Sequence, residues 1–248
     1  MRNTVRKIPV CWKVELSEKL LEEIILTKAV IFDMYETLIT LFESPLYFGT
    51  QIAADAGIDE DQFQEIWKKA ESDRTIGKVT LEEILENIFK INNCYSDEKL
   101  ELIVNKRIQS KEEAFNHLNE EIIPMLTELK KRGILVGLIS NCFSEEAVVI
   151  KKSKLYPFFD AVCLSFDEGL QKPDPAIFYK CIEKLCVKPS ECIYIGDGGS
   201  NELETATKIG MKAIQAAWYL KSGTCQPSKR KFEFEQLKNP YDLFCHIN

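Results

Sequence analysis

Five apolar runs of strand length punctuate the chain, and the polar residues that follow them fall at regular points of the pattern. Ala29-Val30-Ile31-Phe32 stops at Asp33, and Ile134 to Ile139 stops at Ser140-Asn141. Ala161 to Leu164, Cys192 to Gly196 and Lys212 to Ala216 complete the set, with Asp197 directly after the fourth. Unbroken rather than alternating hydrophobicity marks strands covered on both faces, as in a parallel sheet. Such sheets place reacting groups at the carboxyl ends of their strands. From Asn119 onward helical periodicity separates these runs. Ile122, Leu126 and Leu129 share one helix face that Gly133 ends, Ser144 caps the next helix, and Asp174-Pro175 starts another with proline at the first helical position. Ser200 to Ile209 reads as the last helix of this series, ended by Gly210.

Between Leu38 and Leu118 the strand signal vanishes. Asp59 with Gln62 has capping-box spacing ahead of a helix over 63–70, and Ile58 with Phe63 occupies staple positions. Thr80 with Glu83 repeats the pattern, with Val79 and Ile84 as staple, and Leu81, Ile84, Leu85, Ile88 and Phe89 line one face. A third helix starts near Ser96. The pattern predicts an α/β fold with a doubly wound parallel sheet interrupted by one all-helical insertion. The expected boundaries are 1–42 and 119–248 for the α/β core and 43–118 for the insertion. Leu16 to Leu26 has helical spacing behind a Ser17 cap and reads as an extra helix on the core; the tail after Trp218, rich in Lys, Pro and polar residues, reads as a surface wrap.

A net charge of -7 without a Lys/Arg block argues against a general nucleic-acid binder. A small anionic substrate needs only a local cation, and Lys172 is a candidate. The nine cysteines form no CxxC pair and there are two histidines, which argues against a zinc cluster or disulfide framework and fits a reducing cytoplasm. The apolar patch from Pro9 to Trp12 is cut by Lys13, leaving no signal-peptide core and no span of membrane length. The composition does not indicate an oligomeric state.

Four segments in order, Asp33-Met34-Tyr35-Glu36-Thr37-Leu38, Ser140-Asn141, Lys172-Pro173-Asp174-Pro175 and Gly196-Asp197-Gly198-Gly199-Ser200-Asn201-Glu202, resemble the motifs of the haloacid dehalogenase (HAD) superfamily over residues 29 to 216. The resemblance implies a Rossmann-type core with a helical cap, and an aspartate nucleophile at Asp33. It implies Lys172 against that carboxylate and Ser140 as the phosphate-binding hydroxyl. Asn141 either contacts substrate or holds its turn. A Mg²⁺ site would be formed by Asp33, the backbone carbonyl of Tyr35, Asp197 and Glu202, the last directly or through water. Hard carboxylate oxygens suit that ion. Asp197 and Glu202 would alternatively serve the start of the following helix, and Asp174 is a helix cap rather than a catalyst.

Tyr35 departs from the phosphatase pattern, which commonly has a second Asp there to protonate the leaving group. An ordinary tyrosine is too weak an acid and base near neutrality to replace it. Asp-x-Tyr instead resembles the 2-haloacid dehalogenases, which displace halide at carbon without a metal. Asp197 points back, since dehalogenases carry Ser there and an added carboxylate favours a cation over a haloacid. Glu36 is a candidate for the missing acid. Arg74 is a candidate for substrate contact, against the ordinary reading of an exposed arginine. The preferred expectation is Mg²⁺-dependent hydrolysis of a small phosphorylated substrate. The alternatives are a 2-haloacid dehalogenase and a catalytically weak protein that binds a phosphate ligand or a partner.

Overall fold

The structure is a computed structural model that describes residues 26–221 and 228–247, so the expected helix at Leu16 to Leu26 lies outside the described residues except for Leu26. Six strands form one all-parallel sheet: β1 (Ala29–Phe32), β2 (Leu135–Ser140), β3 (Ala161–Leu164), β4 (Cys192–Gly196), β5 (Lys212–Ala216) and β6 (Glu235–Leu237), in the order β3-β2-β1-β4-β5-β6. The five apolar runs are the first five strands. β6 was not anticipated, because Glu235-Gln236-Leu237 is an edge strand with no apolar run, recruited by parallel pairing to Ile214, Gln215 and Ala216.

Residues of β1 alternate between two cores, which is why its whole length is apolar. Val30 and Phe32 pack with Val136, Leu138, Ile193 and Ile195 under helices α6 (Ile122–Lys131) and α7 (Ser144–Lys152). Ala29 and Ile31 pack with Tyr194, Phe178 and Leu203 under helices α9 (Pro175–Leu185) and α10 (Glu202–Lys208). The sheet is thus covered on both faces. The central strand joins β2 on one side and β4 on the other. This is the topological switch point, where a doubly wound sheet opens a crevice at its carboxyl edge.

Between β1 and α6 the described chain contains only helices: α1 (Gly49–Ala56), α2 (Glu60–Lys69), α3 (Glu71–Thr75), α4 (Leu81–Ile91) and α5 (Asp97–Ala114). Asp59 accepts the Gln62 N–H at 3.1 Å, so α2 starts earlier than its apolar periodicity suggested. At α4 both capping-box bonds form: Thr80 N–H donates to Glu83 at 2.8 Å, and Glu83 N–H donates to the Thr80 hydroxyl at 3.2 Å. The helices enclose their own core around Ile52, Phe63, Leu85, Phe89 and Ile103. Short α8 (Ser165–Glu168) follows β3.

Ser144 does not cap α7. Phe143 holds that position, and the Ser144 hydroxyl instead accepts the Leu81 N–H of the helical insertion at 2.9 Å, fastening α4 to the core. The same junction buries an ion cluster. Arg107 Nε meets Glu145 at 3.1 Å, Arg107 Nη2 meets Glu146 at 3.5 Å, Lys111 meets Glu146 at 2.8 Å and Arg74 meets Glu145 at 3.6 Å. Among the described residues no helix is long and apolar enough to cross a membrane.

Candidate active site

β1 delivers Asp33 to the switch point, and the Asp33 N–H still donates to Ile195 at 2.9 Å, so its backbone is fixed by the ladder. The side chain is almost fully buried. Its Oδ1 accepts the Met34 N–H at 2.7 Å and lies 2.6 Å from Lys172 Nζ. Burial raises the Asp33 pKa and Glu202 adds to the effect, while Lys172 opposes it. Burial alone would lower Lys172, but Asp33 and Glu202 outweigh it and hold the ammonium above its ordinary pKa.

Lys172 reaches Asp33 because its loop is pinned. Asn141 Nδ2 donates to the Lys172 carbonyl at 3.0 Å, and Asn141 Oδ1 accepts the Lys172 N–H at 2.8 Å. Both ends of the Asn141 amide thus bond the Lys172 backbone and tie its loop to the end of β2. Ser140 ends β2 fully buried, with its hydroxyl donating to the Asn141 carbonyl at a long 3.4 Å. Asp174 accepts the Ala176 N–H at 2.9 Å and caps α9, as its sequence context indicated.

β4 and the turn after it complete the group. Asp33, Asp197 and Glu202 present carboxylate oxygens that all lie within 4.8 Å of one another. Asp197 is pushed up to about 7 by burial, with Asp33 and Glu202 adding to it. Glu202 is wholly buried, and its two oxygens accept Gly198 N–H at 2.6 Å and Ser200 N–H at 2.7 Å, folding the turn around the carboxylate. A Cβ on Gly196 would lie 2.8 Å from Glu202 Oε1, so the approach requires glycine there. When all three ionise, the carboxylates outnumber the one ammonium and leave two negative charges in a buried space. A divalent cation bound by hard oxygens fits that donor set.

One contact to this group had no local sequence signal. The chain returns after β5 across the carboxyl edge, where Gln215 holds it by donating to the Lys229 carbonyl at 2.8 Å and accepting the Lys231 N–H at 2.8 Å. This return places the Ser228 hydroxyl on Asp197 Oδ2. The tail is thus part of the site rather than a surface wrap alone.

Position 35 carries a phenol, and Glu36, the candidate for the missing acid, is engaged by local hydrogen bonds. The Tyr35 phenol is buried beside the insertion and has its pKa raised well above the ordinary 10, first by burial and then by Glu146. Glu36 accepts the Thr40 hydroxyl at 2.8 Å and the Leu41 N–H at 3.0 Å. Arg74, read from sequence as an exposed side chain, is 1% exposed and sits between Trp67 and Phe143. A cleft of about 520 Å³ runs between insertion and core to this edge, with Lys68, Lys69, Ser72 and Thr75 facing Asn141 and Ser200.

A family model described as haloacid dehalogenase-like hydrolase matches residues 27–210. N-acylneuraminate-9-phosphatase of Rattus norvegicus is 32% identical over 106 residues, which are 43% of this chain and 42% of that protein. Glyceraldehyde 3-phosphate phosphatase of Pyrococcus furiosus is 36% identical over 90 residues, 36% of this chain and 38% of that protein. The chain thus aligns with well under half the length of these two relatives. Among solved structures, a HAD-family enzyme of Bacteroides thetaiotaomicron in complex with magnesium and inorganic phosphate superposes with a TM-score of 0.57 at 19% identity, covering 79% of this chain and 96% of that one. A 2-haloacid dehalogenase of Pseudomonas syringae pv. Tomato gives 0.61 at 19% identity, covering 88% and 96%. At these identities the structural likeness establishes the fold, which both chemistries share.

Proposed function

Because the chain belongs to the haloacid dehalogenase-like hydrolases, we propose that it is a Mg²⁺-dependent, phosphatase-type hydrolase of a small phosphorylated molecule, with Asp33 as nucleophile. The observation that carries this reading is the convergence of Asp33, Asp197 and Glu202, with Lys172 on the first of them. An excess of negative charge suits a cation, which would in turn offset the charge of a phosphoryl group, whereas a haloacid carboxylate handled without a metal would meet uncompensated repulsion there. The phosphatase relatives support the same choice.

In this mechanism Asp33 Oδ1 stays with Lys172 and Met34 N–H, and Oδ2 attacks phosphorus. The P–O bond to the leaving group breaks, and the phosphoryl group is held as an acyl phosphate. Water then cleaves that intermediate and restores the carboxylate. Lys172 neutralises developing charge on the phosphoryl oxygens, and Ser140 turns its hydroxyl toward them. Asn141 is a positioning residue that holds Lys172. Asp33, Asp197, the Tyr35 backbone carbonyl and Glu202, through water or directly, would hold Mg²⁺, which when bound supplies charge stabilisation at the phosphoryl oxygens. Residues 43–118 act as the cap over this edge. A small molecule is the partner, not nucleic acid or membrane, and the free cysteines among the described residues suit the cytoplasm.

Without an acid at position 35 the leaving group must depart unaided. Aryl and acyl phosphates are therefore expected to turn over at least about 100-fold faster than alkyl phosphates, the scale of general acid catalysis. The test follows phosphate release from matched phenyl and alkyl esters with Mg²⁺, beside halide release from 2-chloropropionate without it. Metal-independent halide release with neither ester hydrolysed would replace this reading with dehalogenation.

A further inference from the structure

Phosphoryl transfer leaves two features at the carboxyl edge unexplained: the Gly198-Gly199 pair directly after Asp197, and the wholly buried amide of Gln215. The returning chain over 228–231 accounts for both. A Cβ on Gly199 would lie 2.6 Å from Ser228 Oγ. On Gly198, where φ is +92°, a Cβ would lie 3.1 Å from Lys231 Cδ and Cε. The two glycines stand where this strap passes too close for a side chain.

Gln215 joins the strap to the loop that carries Asp197. Its Nε2 donates to the Asp197 carbonyl at 2.7 Å and to the Lys229 carbonyl at 2.8 Å, while its Oε1 accepts the Lys231 N–H at 2.8 Å. A buried amide is costly unless bonded, and here both ends are bonded. Farther along, Lys231 pairs with Glu204 on α10, and its carbonyl accepts the Phe234 N–H at 3.1 Å and Gln236 Nε2 at 3.3 Å. The chain then enters β6, which is fixed by pairing to β5. Anchored on both sides of the turn, the strap delivers the buried Ser228 to a defined place.

That place is a carboxylate oxygen of the metal-site group. Asp197 Oδ1 accepts the Gly199 N–H at 3.1 Å, and Oδ2 accepts the Ser228 hydroxyl. Donors on both oxygens set the plane of the carboxylate, which a single donor would leave free to turn. An ionised carboxylate has about four lone-pair sites, so these two bonds leave sites for a cation. Asp33 and Glu202 are likewise held by two donors each, Met34 N–H with Lys172 and Gly198 N–H with Ser200 N–H. Of these six donors Ser228 alone lies outside the four sequence motifs, the last of which ends at Glu202.

We propose that Ser228 is a positioning residue for the metal site, its hydroxyl fixing the plane in which Asp197 presents its oxygens to the space shared with Asp33 and Glu202. The inference rests on the Mg²⁺ reading of that site. Groups that hydrogen-bond metal ligands orient them, and losing one costs about 10–100-fold in metal affinity or activity. Mg²⁺ demands near-ideal octahedral geometry, whereas Ca²⁺ accepts irregular arrangements. A loosened Asp197 should therefore penalise Mg²⁺ more than Ca²⁺.

Calorimetry on the full chain, titrated separately with Mg²⁺ and Ca²⁺, tests this without turnover. Ser228→Ala is expected to weaken Mg²⁺ binding about 10-fold and Ca²⁺ binding by less than about 3-fold. Ser228→Thr, which keeps the hydroxyl, should restore the Mg²⁺ preference. Gly199→Ala attacks the same bond from the other side, since its Cβ would displace the Ser228 hydroxyl, and should copy Ser228→Ala; it carries the comparison if Ser228→Ala fails to fold. The ratio of two affinities measured on one folded sample does not move with a general loss of stability, which is all that a merely structural serine would produce. Unchanged Mg²⁺ affinity in Ser228→Ala, or equal losses for the two ions, would overturn the proposal, and loss of Mg²⁺ binding in Asp197→Asn beside it would leave the metal site standing. Failure of the unmodified chain to bind Mg²⁺ would remove the metal reading and this inference together.

Discussion

Asp33→Asn is expected to lower phosphate release from an aryl phosphate by at least about 10⁴-fold, the scale on which a covalent nucleophile is lost, while the melting temperature stays within a few degrees. The amide keeps an oxygen that can accept the Met34 N–H and the Lys172 ammonium, now at 2.7 and 2.6 Å. It loses the charge and lone-pair basicity needed to attack phosphorus. Folding should be little affected because two opposing changes accompany the substitution. Lys172 loses its nearest counter-charge but still feels Glu202 and Asp197, and those carboxylates lose a repelling neighbour. Intact mass must exclude deamidation back to Asp. A folded variant retaining more than about 1% of turnover would refute the covalent mechanism.

The parts of this site that the sequence announces are those tied to local structure. Asp33, Ser140 and Asp197 follow apolar runs that had to be buried parallel strands, and the strand order brings their ends together. Lys172 was assigned by resemblance, and the Asn141 amide that pins its loop explains its reach. What carries no sequence signal depends on pairing across the fold. β6 has too few apolar residues to signal a strand, and only its place beside β5 makes it one. Ser228 meets Asp197 because Gln215 anchors the returning chain, a bond between residues with no spacing rule to connect them. Arg74 reads as a surface residue because most arginines are, and its burial needs α3 docked against Phe143 at the start of α7.

Asp197→Asn is expected to weaken Mg²⁺ binding at least about 100-fold, as removal of a charged ligand should, and at the same time to stabilise the metal-free chain at pH 8. Buried against Asp33 and Glu202, Asp197 has its folded pKa pushed up to about 7, while an unfolded aspartate ionises near 4. Between those values the folded chain binds the extra proton, so stability falls as pH rises through that window and the penalty is fully present above pH 7. Asparagine carries no charge to pay for and should relieve on the order of 4 kcal/mol at pH 8, with little gain at pH 4. Mg²⁺ relieves the same repulsion in the unmodified chain. Its stabilisation should therefore be larger at pH 8 than at pH 6, with protons released on binding near neutrality. Glu202→Gln should weaken Mg²⁺ less, because both Glu202 oxygens are already engaged by backbone N–H groups. Calorimetry in buffers of different ionisation enthalpy, with thermal melts at pH 4, 6 and 8, measures each of these quantities. Unchanged Mg²⁺ affinity in Asp197→Asn would reject this metal site and return the chain to the dehalogenase reading, whose chemistry has no need of the ion.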